Sequence, residues 1–377
     1  MKILVLIHEF PPVGGGGGRA AQEICRGLAR RGHRITVLTA HLPGLPRRET
    51  ADGLEVVRLP SLRREAFRAG LLPMGAYLLV GLAAGLPLIR RWKPDLIHGH
   101  FAVPAGALAW MLARLTGLSY VLTAHLGDVP GGVPEKTGRW FRWLLPFTPP
   151  IWRGARRVVA VSEYTRSLAQ QHYPVPIEVV PNGVDLEAAS ASPEEPGTPP
   201  RLVFAGRFVP QKDPLQIVRT LVELRDLAWQ AVLIGDGPLR GEVERQIQEH
   251  GLEDRILLTG WLTPEQVTDW FSRSDILFMP SLSEGLPVVG VQALASGLAI
   301  VASRIGGFVD VVEDGRNGFL VDRAHPSEFA AGLRLLLSDS ARLRGCKRAS
   351  REKAAVFDLR RVVERYETIF REVLDER

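Results

Sequence analysis

The chain has 377 residues, 46% of them hydrophobic, which is more than one domain of ordinary size needs, so two are expected. Its formal net charge is +6 and unevenly held: residues 1–187 carry 23 Lys and Arg against 13 Asp and Glu, a net +10, and the rest carries 24 against 28, a net −4. Two cysteines, Cys25 and Cys346, exclude a disulfide framework and sit at no metal-ligand spacing. The first half calls for an acidic partner: nucleic acid, an anionic membrane surface or a phosphorylated small molecule.

The scarcity of cysteine makes a reducing cytoplasm the simplest setting, and the N-terminal run "KILVLI", too short for a secretory h-region, reads as a buried strand. The glycine run "PPVGGGGGRA" follows. It lacks the Lys-Ser/Thr of a P-loop, yet its glycines allow a backbone to approach an anion closely, and a plain flexible loop is the other reading. A helix with Ile24, Leu28 and Ala29 on one face should end at Arg30 and Arg31, with Gly32 as its stop, before the strand "ITVLTA". Strand, helix and strand with short joints make a βαβ unit, and so a parallel sheet.

The segment "GLLPMGAYLLVGLAAGLPLI" (Gly70 to Ile89) carries no charge. Two prolines and four glycines interrupt it. Arginines lie on both sides, Arg63, Arg64 and Arg68 before and Arg90 and Arg91 after, so there is no positive-inside bias. A buried or membrane-lying helix fits better than a spanning one. The strands "DLIHGH", "YVLTAH" and "RVVAVS" continue the series, each ending in polar residues, where doubly wound folds bind ligands. His125, at the end of "YVLTAH", suits a hydrogen bond to a substrate hydroxyl or a purely structural bond, and Asp128 suits a cap. Between the last two strands, "RWFRWLLPFTPPIWRGARR" (Arg139 to Arg157) interleaves Trp140, Trp143 and Trp152 with arginines, a pattern of membrane interfaces and also of a core helix with a solvated basic face.

Pro, Ser and Ala dominate "EAASASPEEPGTPP" (Glu187 to Pro200), which reads as linker. The βαβ rhythm then resumes with "RLVFAG", "QAVLIG", "RILLTG", "DILFMP" and "AIVAS". After the first of these, Arg207 and Lys212 can clamp phosphates or stand as solvated loop cations. After the fourth, Glu284 precedes Gly285 and Pro287 at a helix start, where free N–H groups and the dipole favour an anion. The carboxylate can accept from sugar hydroxyls or simply stabilise the helix. "LRRVVERYETIFREVL" (Leu359 to Leu374) is an amphipathic terminal helix.

In chain order, the glycine loop before "LARRGHRITVLT", then "KPDLIHGH", "TAHLGD", "VSEYTR", "VVPNGVD", "FAGRFVPQKDP", "LIGDGPLR", "ILLTGWL", "SRSDILFMPSLSEGLPVVGVQALASG" and "GGFVDVVEDGRNGFLV" resemble the retaining glycosyltransferases of family 4 over nearly the whole length. The resemblance implies the GT-B fold: α/β, two Rossmann-like doubly wound parallel-sheet domains facing a cleft, with the C-terminal helix crossing back to the N-terminal domain. The boundaries expected are 1–187 for the acceptor domain, 188–200 for the linker, 201–355 for the nucleotide-sugar domain and 356–377 for the terminal helix.

The same resemblance assigns roles. Arg207 and Lys212, with Gly15 and Gly16 across the cleft, would hold the diphosphate of a UDP- or GDP-sugar donor. Glu284 and His125 would contact the transferred sugar, and the backbone of Gly285, Leu286, Pro287 and Val288 would hold sugar and phosphate. Trp261 and Leu262 would border the base. Gln292 stands where the family usually has a ribose-binding glutamate, and Leu126 and Asp310 replace a favoured Gly and Glu. No cofactor and no metal are implied, and no Asp-x-Asp occurs. The expected acceptor is a glycolipid or other lipid-linked molecule, a saccharide or another small molecule, a peripheral position at the inner face of an anionic membrane would suit it, and nucleic acid is not expected. A non-catalytic nucleotide-sugar-binding subunit, favoured by Gln292, or a GT-B epimerase is the alternative function.

Overall fold

The computed structural model describes residues 1–66, 70–133 and 143–376. The chain divides into two compact units, Met1–Gly183 with Leu359–Arg377, and Val184–Asp358. The first therefore includes the terminal helix, Leu359–Asp375.

Eight strands form the sheet of the first unit: β1 (Lys2–Leu6), β2 (Arg34–Ala40), β3 (Arg48–Ala51), β4 (Leu54–Leu59), β5 (Leu96–His100), β6 (Tyr120–Ala124), β7 (Arg157–Ala160) and β8 (Ile177–Val179). Their order is β3-β4-β2-β1-β5-β6-β7-β8. All pairs are parallel except β3 with β4. That antiparallel edge hairpin was not expected: Arg48–Ala51 is short, mostly exposed and has no apolar run to mark it. The inner strands are buried on both faces, which is why they read as continuous apolar runs. One face is covered by the helix Gly16–Arg30 and by the terminal helix, whose Val362, Val363, Tyr366, Ile369, Phe370 and Val373 enter the core with Ile24, Cys25 and Leu28. The other face is covered by the helices Leu71–Trp92, Ala107–Thr116 and Pro149–Arg153.

In the second unit, β9 (Arg201–Ala205), β10 (Gln230–Ile234), β11 (Ile256–Gly260), β12 (Ile276–Met279), β13 (Ala299–Ser303) and β14 (Gly318–Val321) form an all-parallel sheet in the order β11-β10-β9-β12-β13-β14. The stretch 188–200, expected to be linker, contains no helix or strand and belongs to this unit. Its Ser192 is buried, donates to the Ser274 carbonyl at 2.7 Å and takes a bond from Lys347 Nζ at 3.0 Å. Lys347 in turn pairs with Asp275 at 2.5 Å, and burial lowers its pKa from the usual lysine range.

Both sheets are wound outward from a central strand. In the first the winding reverses between β1 and β5, in the second between β9 and β12. Side chains leaving the carboxyl ends of those strands therefore gather in the crevice where such folds bind ligands.

Candidate active site

In the second unit, that crevice brings Lys212 and Glu284 together. The short turn Pro210–Lys212 follows β9 and is stitched to the loop after β12: Gln211 Nε2 donates to the Ser283 carbonyl at 3.1 Å, and Leu282 N–H donates to the Gln211 carbonyl at 2.7 Å. The next side chain on each loop forms the ion pair Lys212 Nζ to Glu284 Oε1. Glu284 is buried, with 8% of its side chain exposed, against 15% for Lys212. A buried carboxylate needs such a partner. The loop it sits on rests on the turn after β13. A Cβ on Gly306, at φ +46°, would lie 1.7 Å from the Glu284 carbonyl oxygen, so only glycine fits there.

Gly285 and Leu286 lead to Pro287, which stands at the N-cap of the helix Val288–Ser296. That helix has neither a side-chain cap nor an acid in its first turn; Gly290 and Val291 N–H donate to the Pro287 carbonyl, so the N–H groups left without intrahelical acceptors are those of Val288 and Val289, close after Glu284 in the chain. Gln292 lies one turn in and is half-buried. Arg207, half-buried, follows β9 directly. Trp261, 52% exposed, and Leu262 follow β11. The donor-binding positions expected in this unit thus all follow the carboxyl ends of strands in its sheet, whereas Gly15, Gly16 and His125 belong to the first unit.

In the first unit, the loops after β1, β5 and β6 converge. A Cβ on Gly17 would lie 2.7 Å from Phe101 Cζ and 3.2 Å from His125 Nδ1, so the glycine loop lies directly against both rings. Phe101 stacks on His125 with ring centres 4.2 Å apart, and holds φ +69°, a strained conformation for a residue with a side chain. Asp128, expected to be a cap, does more: its carboxylate accepts from the backbone N–H of both Ala102 and His125, each at 2.9 Å, and ties the loop after β5 to the loop after β6. Gly15 and Gly16 are exposed at the uncapped start of the helix Gly16–Arg30.

Sequence reasoning did not single out Phe101, His98 or His100. His100 Nδ1 lies 3.4 Å from His125 Nε2. His98 Nε2 bonds Thr123 Oγ1 at 2.8 Å, and that oxygen bonds Tyr366 OH of the terminal helix at 3.1 Å. Burial lowers His125 to about 4, against a weaker opposing pull from Glu9. Burial, then the neighbouring His125, lowers His98 to about 3, and burial with both neighbours puts His100 well below the usual range. His125 is therefore a neutral imidazole near pH 7. The sequence signal was present in "HGH" and "TAH", two histidine-bearing strand ends that only the sheet order makes adjacent.

Two family models match the chain: the one described as Glycosyltransferase Family 4 over residues 14–188, and Glycosyl transferases group 1 over 185–353. The 2-deoxystreptamine glucosyltransferase of Streptomyces kanamyceticus is 31% identical over 357 residues, covering 88% of this chain and 92% of the relative. The chain belongs to glycosyltransferase family 4. A D-inositol 3-phosphate glycosyltransferase of Xylanimonas cellulosilytica is 29% identical over 89% of the enzyme and 86% of its own length. Among solved structures, sucrose-phosphate synthase of Thermosynechococcus elongatus superposes with a TM-score of 0.88 at 20% identity, each chain fully covered. Anabaena HepE in complex with UDP-glucose gives 0.76 at 19%, again over all of both chains. These two likenesses concern the fold, and the enzyme has the GT-B fold.

Proposed function

We propose that the enzyme transfers a sugar, with retention of anomeric configuration and without a divalent metal, from a UDP- or GDP-sugar to a hydroxyl of a lipid-linked, saccharide or other small acceptor. The observation that carries this reading is the buried Lys212–Glu284 pair at the reversal point of the second sheet, beside an uncapped helix start. Cation, carboxylate and free N–H groups at one strand edge suit a molecule that joins a diphosphate to a polyol.

Arg207 and Lys212 then hold the diphosphate, and the N–H groups at Gly15 and Gly16 keep the phosphate-binding role that the family resemblance gives them. Glu284 accepts from hydroxyls of the donor sugar. The backbone of Gly285, Leu286, Pro287 and Val288 lines sugar and phosphate, Gln292 bonds the ribose, and Trp261 with Leu262 borders the base. His125, neutral, bonds a hydroxyl of the transferred sugar. As the bond from the anomeric carbon to the phosphate oxygen breaks, negative charge grows on the diphosphate, where two fixed cations stabilise it. The acceptor oxygen bonds the anomeric carbon on the face the diphosphate leaves, and its proton passes to a phosphate oxygen.

UDP-glucose is the first donor to try, because HepE has the same fold and was crystallised with it. The names of the relatives point to aminocyclitol and inositol phosphate acceptors, so an acceptor panel begins there. Proton NMR of the product reads the anomeric configuration. An axial product from an axial donor linkage supports the reading, and an inverted product refutes it. We also propose that the enzyme works in the cytoplasm, peripheral at the inner face of the membrane.

A further inference from the structure

The helix Leu71–Trp92 has an unusual outer face. Its inner side, Tyr77, Gly81, Gly85 and Ile89, is buried, and a Cβ on Gly81 or Gly85 would collide with Leu108 or Leu112 of the neighbouring helix. Tyr77 OH donates to the Leu38 carbonyl at 2.9 Å. The helix is thus packed into the first unit and is not free to span a bilayer. Its outer side presents Leu72, Leu79, Ala83 and Pro87 at helical spacing, with Leu72 and Leu79 each 72% exposed, and no polar residue interrupts the stripe. Surface helices ordinarily carry charge on that side.

Other exposed apolar groups lie on or next to the segments that cover this face: Leu71, Leu115 on Ala107–Thr116, and Trp143, 81% exposed, and Phe147 on either side of Leu145, which packs on the same core. Trp140 and Arg68, which the sequence pattern also suggested, lie outside the described residues.

Charge sets the partner. Segments 70–94, 101–118 and 143–157 contain no Asp or Glu. Among the described residues, Arg90, Arg91, Lys93, Arg114 and Arg153 form no ion pair within the chain. The unit as a whole has 28 Lys and Arg against 16 Asp and Glu, a net +12, whereas the other unit has 19 against 25, a net −6. A symmetric contact with a second copy would bring two surfaces of the same positive charge together. An anionic bilayer satisfies both features at once, taking leucine and tryptophan below its headgroups and pairing the arginines with lipid phosphates.

We propose that the outer face of Leu71–Trp92, with Leu115, Trp143 and Phe147, docks the enzyme on an anionic phospholipid bilayer. This deepens the peripheral placement given above but is independent of sugar transfer, since docking needs no donor.

Flotation of the full chain, without nucleotide sugar, tests it on vesicles of phosphatidylcholine with phosphatidylglycerol and on phosphatidylcholine alone. The expected result is flotation with the anionic vesicles only, weakened by salt. Leu72→Asp with Leu79→Asp should lower partitioning by about tenfold per leucine, with circular dichroism and donor binding unchanged. Arg90→Glu with Arg91→Glu should remove the preference for anionic lipid. The proposal is overturned if the native chain stays in solution with both vesicles, if it binds both equally, or if sedimentation shows a dimer that Leu79→Asp dissociates. Failure here leaves sugar transfer intact, and loss of donor binding would leave flotation unchanged.

Discussion

Replacing Lys212 by Met separates what the ion pair does for stability from what it does for catalysis. The substitution keeps the aliphatic bulk and removes the ammonium, leaving Glu284 charged with 8% of its side chain exposed. Removing one partner of a buried pair costs about 3–5 kcal/mol. The free N–H groups of Val288–Ser296 offset part of that, so about 3 kcal/mol is expected. In a unit of this size that lowers the melting temperature by roughly 6–12 °C. Adding Glu284→Gln removes the unpaired charge and should restore most of the loss. Transfer activity should not return, because the diphosphate has lost a cation and the sugar a carboxylate. Scanning calorimetry and a donor-hydrolysis assay on the native chain, the single variant and the double variant give the full comparison. If the double variant regains activity together with stability, the pair is only a structural clamp and the roles given to Lys212 and Glu284 are wrong.

Three further outcomes are expected. Gln292→Glu should tighten donor binding roughly fivefold, the difference between a neutral and a charge-assisted bond, and an unchanged KM for the donor would remove Gln292 from the ribose site. Gly17→Ala places a Cβ 2.7 Å from Phe101 Cζ and 3.2 Å from His125 Nδ1. It should cost about 1–3 kcal/mol of stability and lower kcat, whereas an enzyme with native kinetics would dissociate the glycine loop from His125's function. The histidine cluster makes stability depend on pH. Unfolded imidazoles titrate near 6.5 and folded His125 and His98 near 4 and 3, so the unfolded chain binds more protons between these values. Stability is then complete above pH 6.5 and falls toward pH 4, by up to about 1.4 kcal/mol per pH unit for each histidine. Melting curves across that range check this, and a flat profile that His98→Gln leaves unaltered would contradict it.

Much of the fold could be read in advance because parallel strands buried on both faces announce themselves as apolar runs, and "RLVFAG" or "DILFMP" needs no tertiary context. Edge elements do not. Residues 48–51 pair only with β4 and carry no pattern. The helix Leu71–Trp92, expected as a helix, keeps both prolines: Pro73 falls in its first turn, where no N–H is needed, Pro87 stands inside it and costs it one backbone bond, and Gly81 and Gly85 serve close packing. At the candidate site, residue types were legible and pairings were not. Glu284 and Lys212 stand 72 residues apart, and only the exchange of bonds between Gln211 and residues 282–283 explains why they meet. Phe101 escaped notice because its significance lies in a backbone angle and a stacked ring, neither of which has a sequence signature.

The most direct test of the central claim is a thermal-shift titration with UDP-, GDP- and ADP-sugars, on the native chain and on Arg207→Ala and Glu284→Gln. A ligand that binds only the folded state adds about 2.7 kcal/mol at a concentration of 100 Kd. The account predicts a saturable rise in melting temperature with one of these nucleotide sugars, and its loss or marked weakening in both variants. No shift with any of them, or an undiminished shift in the variants, would contradict it.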